Sequence, residues 1–151
     1  MAKVGLYFET QRIITPQFGN WPMTIIRLMA DAEFQLSDGS LTEPAEAILD
    51  TGAPMSVLPR QLWQMLDAEI HIPEATLSGI SRRKVCQIRC AIGTVRGCLV
   101  DSEGNRTRLY NFPAFLAKTN RVPLIIGFAK LLEKFKTCFE YEADEAWIEE
   151  R

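Results

Sequence analysis

Short runs of apolar and β-branched residues, separated by turn residues, recur along most of the chain. The runs with the composition of strands are residues 23–28, 33–36, 45–49, 109–116 and 122–126. The second run is followed by a Ser-Asp-Gly turn at residues 37–39. A final hairpin is expected from the segments 139–142 and 146–149. This pattern predicts a mostly β protein.

A long hairpin is predicted over residues 76–100, with a bend at Gly79 and a turn following at residues 101–105. Gly93 and Gly97 inside it indicate bulges or close backbone contacts.

Helical spacing occurs in two short segments. Pro59 suits the first position of one helix, whose apolar face comprises Leu62, Trp63, Met65 and Leu66. The second helix is expected over residues 129–135, with three residues facing the core: Leu131, Leu132 and Phe135.

The composition is that of a globular protein. The chain has 151 residues, of which 47% are hydrophobic and 24% charged, and this favours a single domain over residues 1–151. A net charge of −2 gives no argument for nucleic acid or an anionic membrane. No apolar run approaches the roughly 20 residues of a membrane span. The first residues lack the features of a signal peptide, so we expect a cytoplasmic protein.

Histidine and cysteine usage excludes several kinds of site. The four cysteines (Cys86, Cys90, Cys98 and Cys138) form no C-x-x-C pair, and His71 is the only histidine. We therefore expect free thiols packed as small apolar groups, no metal site and no cofactor. No phosphate-binding glycine loop or G-x-S-x-G motif is present. If the chain is an enzyme, a carboxylate mechanism remains.

One carboxylate stands out. Asp50 ends the apolar run at residues 45–49 and is followed by Thr51, Gly52 and Ala53. The simplest interpretation is a strand-ending turn, because Asp and Gly favour turns. However, the segment 124–127 (LIIG) repeats the order of apolar strand, glycine and short helix.

The motifs ILDTGA at residues 48–53 and LIIG at residues 124–127 resemble those of the retropepsin-like (retroviral-type) aspartic proteases. The resemblance covers roughly residues 23–135. It leaves residues 1–22 as an N-terminal extension and residues 136–151 as a C-terminal hairpin, which suits bacterial single-domain members. It implies a closed β-barrel with one or two short helices and one lobe per chain.

The resemblance also implies roles for individual residues. Asp50 would be the catalytic carboxylate, and the Thr51 hydroxyl would hydrogen-bond across a dimer axis. Gly52 would allow the sharp turn. Ala53 would line the floor of the substrate site, and Gly127 would pack against the catalytic loop, where a side chain does not fit.

Peptide hydrolysis by carboxylates needs two of them, one ionised and one protonated. This chain has one Asp-Thr-Gly, and the LIIG segment carries no acid. The partner is then Asp50 of a second copy, related by a two-fold axis. The implied protein is a homodimeric endopeptidase that cleaves an extended peptide or protein substrate. The alternatives are an inactive retropepsin-fold module for dimerisation or peptide binding, and an unrelated β-rich domain.

Two features depart from the family pattern. The flap expected over the substrate falls on Ser78, Gly79, Ile80 and Ser81, with one glycine and a basic run after it at residues 82–84. That run is interpreted as a solvated face, as a selector for acidic substrate positions, or, together with Arg89, as a nucleic-acid patch; nucleic acid is not expected.

The second departure follows Gly127. The retroviral enzymes commonly place Arg and then Asn or Asp there, whereas this chain has Phe128 and Ala129. We therefore expect a different dimer interface, which the N-terminal twenty residues or the C-terminal tail would supply or cover.

Overall fold

A computed structural model describes residues 3–16, 19–78 and 87–151 of the chain. Within these ranges the protein consists of eleven strands, one single-turn α-helix and a short 3₁₀ helix. The prediction of a mostly β fold with one or two short helices is confirmed.

The elements follow one another in chain order. The strands are β1 (Lys3–Gly5), β2 (Tyr7–Thr15), β3 (Trp21–Phe34), β4 (Ala45–Leu49), β5 (Ser56–Leu58), β6 (Glu69–Ser78), β7 (Gln87–Val100), β8 (Tyr110–Ala117), β9 (Ile125–Ile126), β10 (Phe135–Glu140) and β11 (Glu145–Glu150). The helix α1 spans Arg60–Trp63, and the 3₁₀ helix spans Leu132–Lys134.

Six strands close into a hydrogen-bonded ring. Its order is β3, β4, β9, β5, β8 and β7, and β7 pairs with β3 to complete it. The pairs β4–β9 and β5–β8 are parallel and the others are antiparallel. The strands of the ring supply most of the large side chains that are fully buried, namely Phe34, Leu58, Leu99, Phe112, Leu116 and Ile126. The core of the molecule therefore lies inside this ring.

The long hairpin starts earlier than predicted. β6 begins at Glu69, which pairs with Thr94 of β7, whereas the sequence placed the start at residue 76. The register shifts twice between Ile70 and Ala75, a stretch that includes Pro73, and these irregularities break the alternation that marks a strand.

Both glycines of β7 are needed for close backbone contact, as predicted. A Cβ at Gly93 would lie 2.5 Å from the Glu69 carbonyl oxygen, and a Cβ at Gly97 would lie 2.7 Å from that of Glu33. Real side chains do not approach backbone atoms so closely, so these positions hold β6 and β3 against β7.

The second predicted helix, over residues 129–135, is wrong in extent. Lys130 has φ of 56° and Leu131 has φ of −128°, and neither value is helical, so only the 3₁₀ turn forms. Phe135 already belongs to β10. The predicted burial of Leu131, Leu132 and Phe135 is confirmed.

The first helix is also shorter than its pattern indicates. It is a single turn with Pro59 at the position before it, and Met65 is exposed rather than packed on the core.

The two chain termini meet in a separate three-stranded sheet of order β1-β11-β10, which contains the predicted C-terminal hairpin. Val4 and Ile148, which are partners in its register, are fully buried. Asp101 links this sheet to the ring, because its Oδ2 accepts a hydrogen bond of 2.8 Å from the Gly5 amide.

Three of the four cysteines lie in the described part of the chain. Cys90 and Cys98 are buried, Cys138 is half-buried, and all three are free, as expected; Cys86 lies outside the described residues. In the described part of the chain, no helix has the length and apolar character needed to cross a membrane.

Asp101 gives the fold a predictable acid sensitivity. Burial raises the pKa of its carboxyl group, but hydrogen bonds from Gly5, Asn105 and Glu103 outweigh it and hold the pKa below the ordinary value of 3.8. A pKa that is lower in the folded state than in the unfolded state stabilises the protein at pH values above the unfolded-state pKa. This contribution is lost as the pH falls through the folded-state pKa.

We expect Asp101→Asn to lower the free energy of unfolding by about 1–2 kcal/mol at neutral pH. The difference from wild type should shrink as the pH falls below 3.8, measured by urea denaturation over a pH series. Glu103→Gln, at an exposed residue of the same turn, is the control and should change the free energy of unfolding at neutral pH by less than about 0.5 kcal/mol. A difference that grows in acid would contradict this account.

Candidate active site

Asp50 directly follows β4, a strand of the ring that has a neighbouring strand on each side. β4 lies between β3 and β9, and its Ala47 and Leu49 side chains are buried in the core. The Asp50 amide donates to the Ile126 carbonyl oxygen at 3.0 Å, which continues the β4–β9 ladder by one residue. Asp50 is half-buried, and the backbone that carries its side chain is held by β9.

The loop after Asp50 folds back on its carboxylate. The Gly52 amide donates to Asp50 Oδ1 at 2.9 Å, and the Ala53 amide donates to the Asp50 carbonyl oxygen at 3.2 Å. A Cβ at Gly52 would lie 3.2 Å from Oδ1, so glycine gives the amide room to approach. Thr51 and Gly52 are exposed and Ala53 is half-buried. The loop thus presents an oriented carboxylate at the protein surface.

The segment around Gly127 crosses directly behind this loop. A Cβ at Gly127 would lie 2.3 Å from both the carbonyl carbon and the carbonyl oxygen of Met55. The next two amides, of Phe128 and Ala129, donate at 2.9 Å to the carbonyl oxygens of Ala53 and Pro54. The two motifs found in the sequence are therefore in contact through their backbones.

Ser56 is part of this crossing, although its role was not predicted from the sequence. Its side chain is fully buried, and its Oγ accepts a hydrogen bond of 2.9 Å from the Gly127 amide. The sequence does carry an indication of this role, because a lone serine between Met55 and Val57 in a buried strand needs a hydrogen-bond partner.

The flap prediction falls almost wholly outside the described residues. Ser78 is the last residue of β6, whereas Gly79, Ile80, Ser81 and the basic run at residues 82–84 are not described. Their role stays a prediction.

Two other candidates have partners in the β6–β7 hairpin and its surroundings. Arg89 pairs with Glu74 at 3.3 Å, and Glu74 also pairs with Lys118, which weakens the argument for a basic nucleic-acid patch. His71 Nε2 lies 2.8 Å from the Thr94 hydroxyl, a cross-strand contact that gives the lone histidine a structural role. Among the described residues, no group of three or more His, Cys, Asp or Glu side chains is placed to hold a metal ion.

No known protein family matches the sequence, and no curated protein matches it. Among solved structures, the chain is similar to a retropepsin-like aspartic protease from Rickettsia conorii, with 16% sequence identity and a TM-score of 0.46. The match covers 98% of this chain and 95% of that one.

The contact between Ser56 and Gly127 can be tested by stability. Ser56→Ala leaves the Gly127 amide buried without its acceptor, and we expect the free energy of unfolding to fall by about 1–3 kcal/mol. Ser102→Ala, at an exposed serine, should change it by less than about 0.5 kcal/mol. Denaturant unfolding measures both. Equal, small effects would show that the buried hydroxyl does not support the loop.

Proposed function

We propose that this chain is an aspartic endopeptidase that works as a symmetric homodimer. The observation that supports it best is the fixed geometry of Asp50, whose carboxylate is oriented by the Gly52 amide on a loop supported from behind by Gly127. A turn that merely ends a strand needs neither a buried backbone crossing nor a glycine at residue 127. Preorganisation of this kind is what a catalytic carboxylate requires.

The reaction needs a second carboxylate. One carboxylate takes a proton from water, while the other, protonated, polarises the peptide carbonyl group. The LIIG segment behind the loop contains no acid, so the second group comes from Asp50 of another copy. A two-fold axis beside the exposed Thr51 and Gly52 brings the two loops together.

The substrate class follows from this arrangement. Water attacks the peptide carbonyl carbon, a proton passes to the leaving nitrogen, and the C–N bond breaks to give a new carboxyl and a new amino terminus. The substrate is an extended peptide or protein segment lying between the two copies, above Ala53 of each. Ser78, Gly79, Ile80 and Ser81 would cover it.

The competing candidate is a module that dimerises or binds peptides without cleaving them. It is favoured by the departures from the family pattern, namely a flap with a single glycine and Phe128 in place of arginine. Both candidates require the same fold, so cleavage must be measured directly.

Replacement of Asp50 separates these candidates. Asp50→Asn keeps the shape of the side chain and removes its ability to act as a base, so we expect peptidase activity to fall by at least about a thousandfold. The measurement is digestion of a peptide library followed by mass spectrometry, with sedimentation to confirm that the variant is a folded dimer.

Asp38→Asn, in an exposed turn, is the matched control and should retain full activity. Cleavage that survives Asp50→Asn rejects the proposal. A wild-type dimer that binds peptides but cleaves none of them supports the inactive module.

The pH dependence of cleavage tests the shared dyad. Two carboxylates about 3 Å apart resist double ionisation, so the pair retains one proton where an isolated aspartate has lost it. The singly protonated pair is the working form, and it is lost both in strong acid and at higher pH. We expect a bell-shaped profile of kcat/KM with its maximum on the acid side of neutral. Activity that rises steadily into alkaline pH contradicts a carboxylate pair.

A further inference from the structure

A cavity of about 370 Å³ lies beside β4, the strand that leads into Asp50. Its lining includes three apolar residues and three charged ones, namely Met29, Ile48 and Leu124, and Glu9, Arg27 and Glu46. Apolar walls with a few polar groups are the usual form of a site that takes a small ligand or a side chain. The cavity is large enough for one long amino-acid side chain.

This cavity lies on the face of β4 that continues to Asp50. Ala47 and Leu49 are buried in the core. The alternate residues Glu46, Ile48 and Asp50 therefore lie on the opposite face of the strand, and the Asp50 amide extends the β4–β9 ladder to the end of this row. Alternate residues are about 7 Å apart, which places Ile48 next to Asp50 and Glu46 about 13 Å from it.

The charges at the end of the cavity near Asp50 are balanced. Arg27 lies opposite Glu9 in the β2–β3 register, and its Nη1 atom is 3.9 Å from Glu9 Oε1. The β3–β4 register, continued by two residues, places Arg27 at the level of Asp50. A side chain that enters from the active-site loop therefore passes a neutral pair before it reaches Glu46.

The charge at the far end of the cavity is not balanced. The Tyr7 hydroxyl lies 3.2 Å from Glu46 Oε1 but closer to Asp31 Oδ1, at 3.0 Å. A phenol has one hydrogen, so it cannot fully satisfy both carboxylates. Burial and then the adjacent Asp31 and Glu46 carboxylates raise the pKa of Tyr7, which marks this end as negative. Within the described ranges, no cation is paired with Glu46.

We propose that this cavity is a substrate subsite that selects a lysine or arginine side chain, and that Glu46 is the residue that recognises its charge. The inference rests on the proposed function, because Asp50 is what makes the neighbouring cavity part of a substrate site. A lysine side chain of about 6 Å and a glutamate side chain of about 4 Å, joined by a contact of about 3 Å, span the interval between Asp50 and Glu46. The apolar stem of the basic side chain lies on Met29 and Ile48.

The position of Glu46 disfavours other occupants. Glu46 is exposed in the free chain, so water solvates its carboxylate. A substrate that covers the cavity removes this water, and a covered carboxylate without a partner is costly. A lysine or arginine end supplies that partner, whereas an apolar side chain leaves the carboxylate unpaired and an acidic one adds repulsion.

The experiment uses three synthetic peptide libraries that are randomised except at one central residue, which is lysine, norleucine or glutamate. Norleucine keeps the stem of lysine and lacks its charge. Mass spectrometry measures the rate of cleavage at the bonds that flank the fixed residue. We expect the wild type to cleave the lysine library at least about fivefold faster than the norleucine library. Glu46→Gln, which keeps an acceptor for Tyr7, should remove this preference.

Reversal of the charge distinguishes recognition from support of the strand. Glu46→Lys should make glutamate the preferred fixed residue, whereas loss of a merely structural residue would slow cleavage of all three libraries alike. Glu43→Gln, at an exposed acid that does not line the cavity, is the matched control and should keep the preference for lysine. Circular dichroism confirms that each variant is folded.

The outcomes separate this inference from the proposed function. Wild-type cleavage without a preference for lysine, or with a preference that survives Glu46→Gln, overturns the subsite and leaves the endopeptidase intact. A wild type that cleaves no peptide rejects the proposed function, and binding of the same libraries to immobilised Asp50→Asn protein then decides the inference. Retention of the lysine library that requires Glu46 supports the subsite, whereas equal or absent retention of the three libraries overturns it.

Discussion

The contact between Gly127 and the backbone of Met55 is the constraint on which this structure depends. Any side chain at residue 127 would place its Cβ 2.3 Å from the Met55 carbonyl group. That closeness allows β9 to lie between β4 and β5, parallel to the first and antiparallel to the second. Without β9 in this position the six-stranded ring does not close. The buried hydroxyl of Ser56 satisfies the one amide that the crossing would otherwise leave unpaired.

The same crossing determines the chemistry available to Asp50. A carboxylate on a mobile loop loses its orientation, whereas here the loop is bound from behind through Ala53 and Pro54. The ring is complete within one chain but supplies the loop with only one Asp-Thr-Gly. In the proposed mechanism the second carboxylate comes from the symmetry-related copy, so each chain has only to present its own loop at the surface.

Local patterns predicted what depends on local interactions. The strand Ala45–Leu49 was found at its observed bounds, because a short apolar run before Asp and Gly is defined by its own residues. The second helix failed because Lys130 adopts a left-handed conformation, which no spacing rule reveals. Ser56 was missed because its partner is a distant amide. The strand β2 was missed because apolar residues occur on both of its faces, so the period-two alternation is weak.

The terminal sheet limits what the two chain ends can contribute to a dimer interface. The sequence left open whether the N-terminal residues or the C-terminal tail supply the interface. In the structure β11 is paired on both edges within its own chain, with β1 on one side and β10 on the other. The Gly5 amide is further bound by Asp101. Exchange of these strands with a partner would first break the hydrogen bonds that they make within their own chain, so the two-fold interface of the proposed dimer has to use other surface.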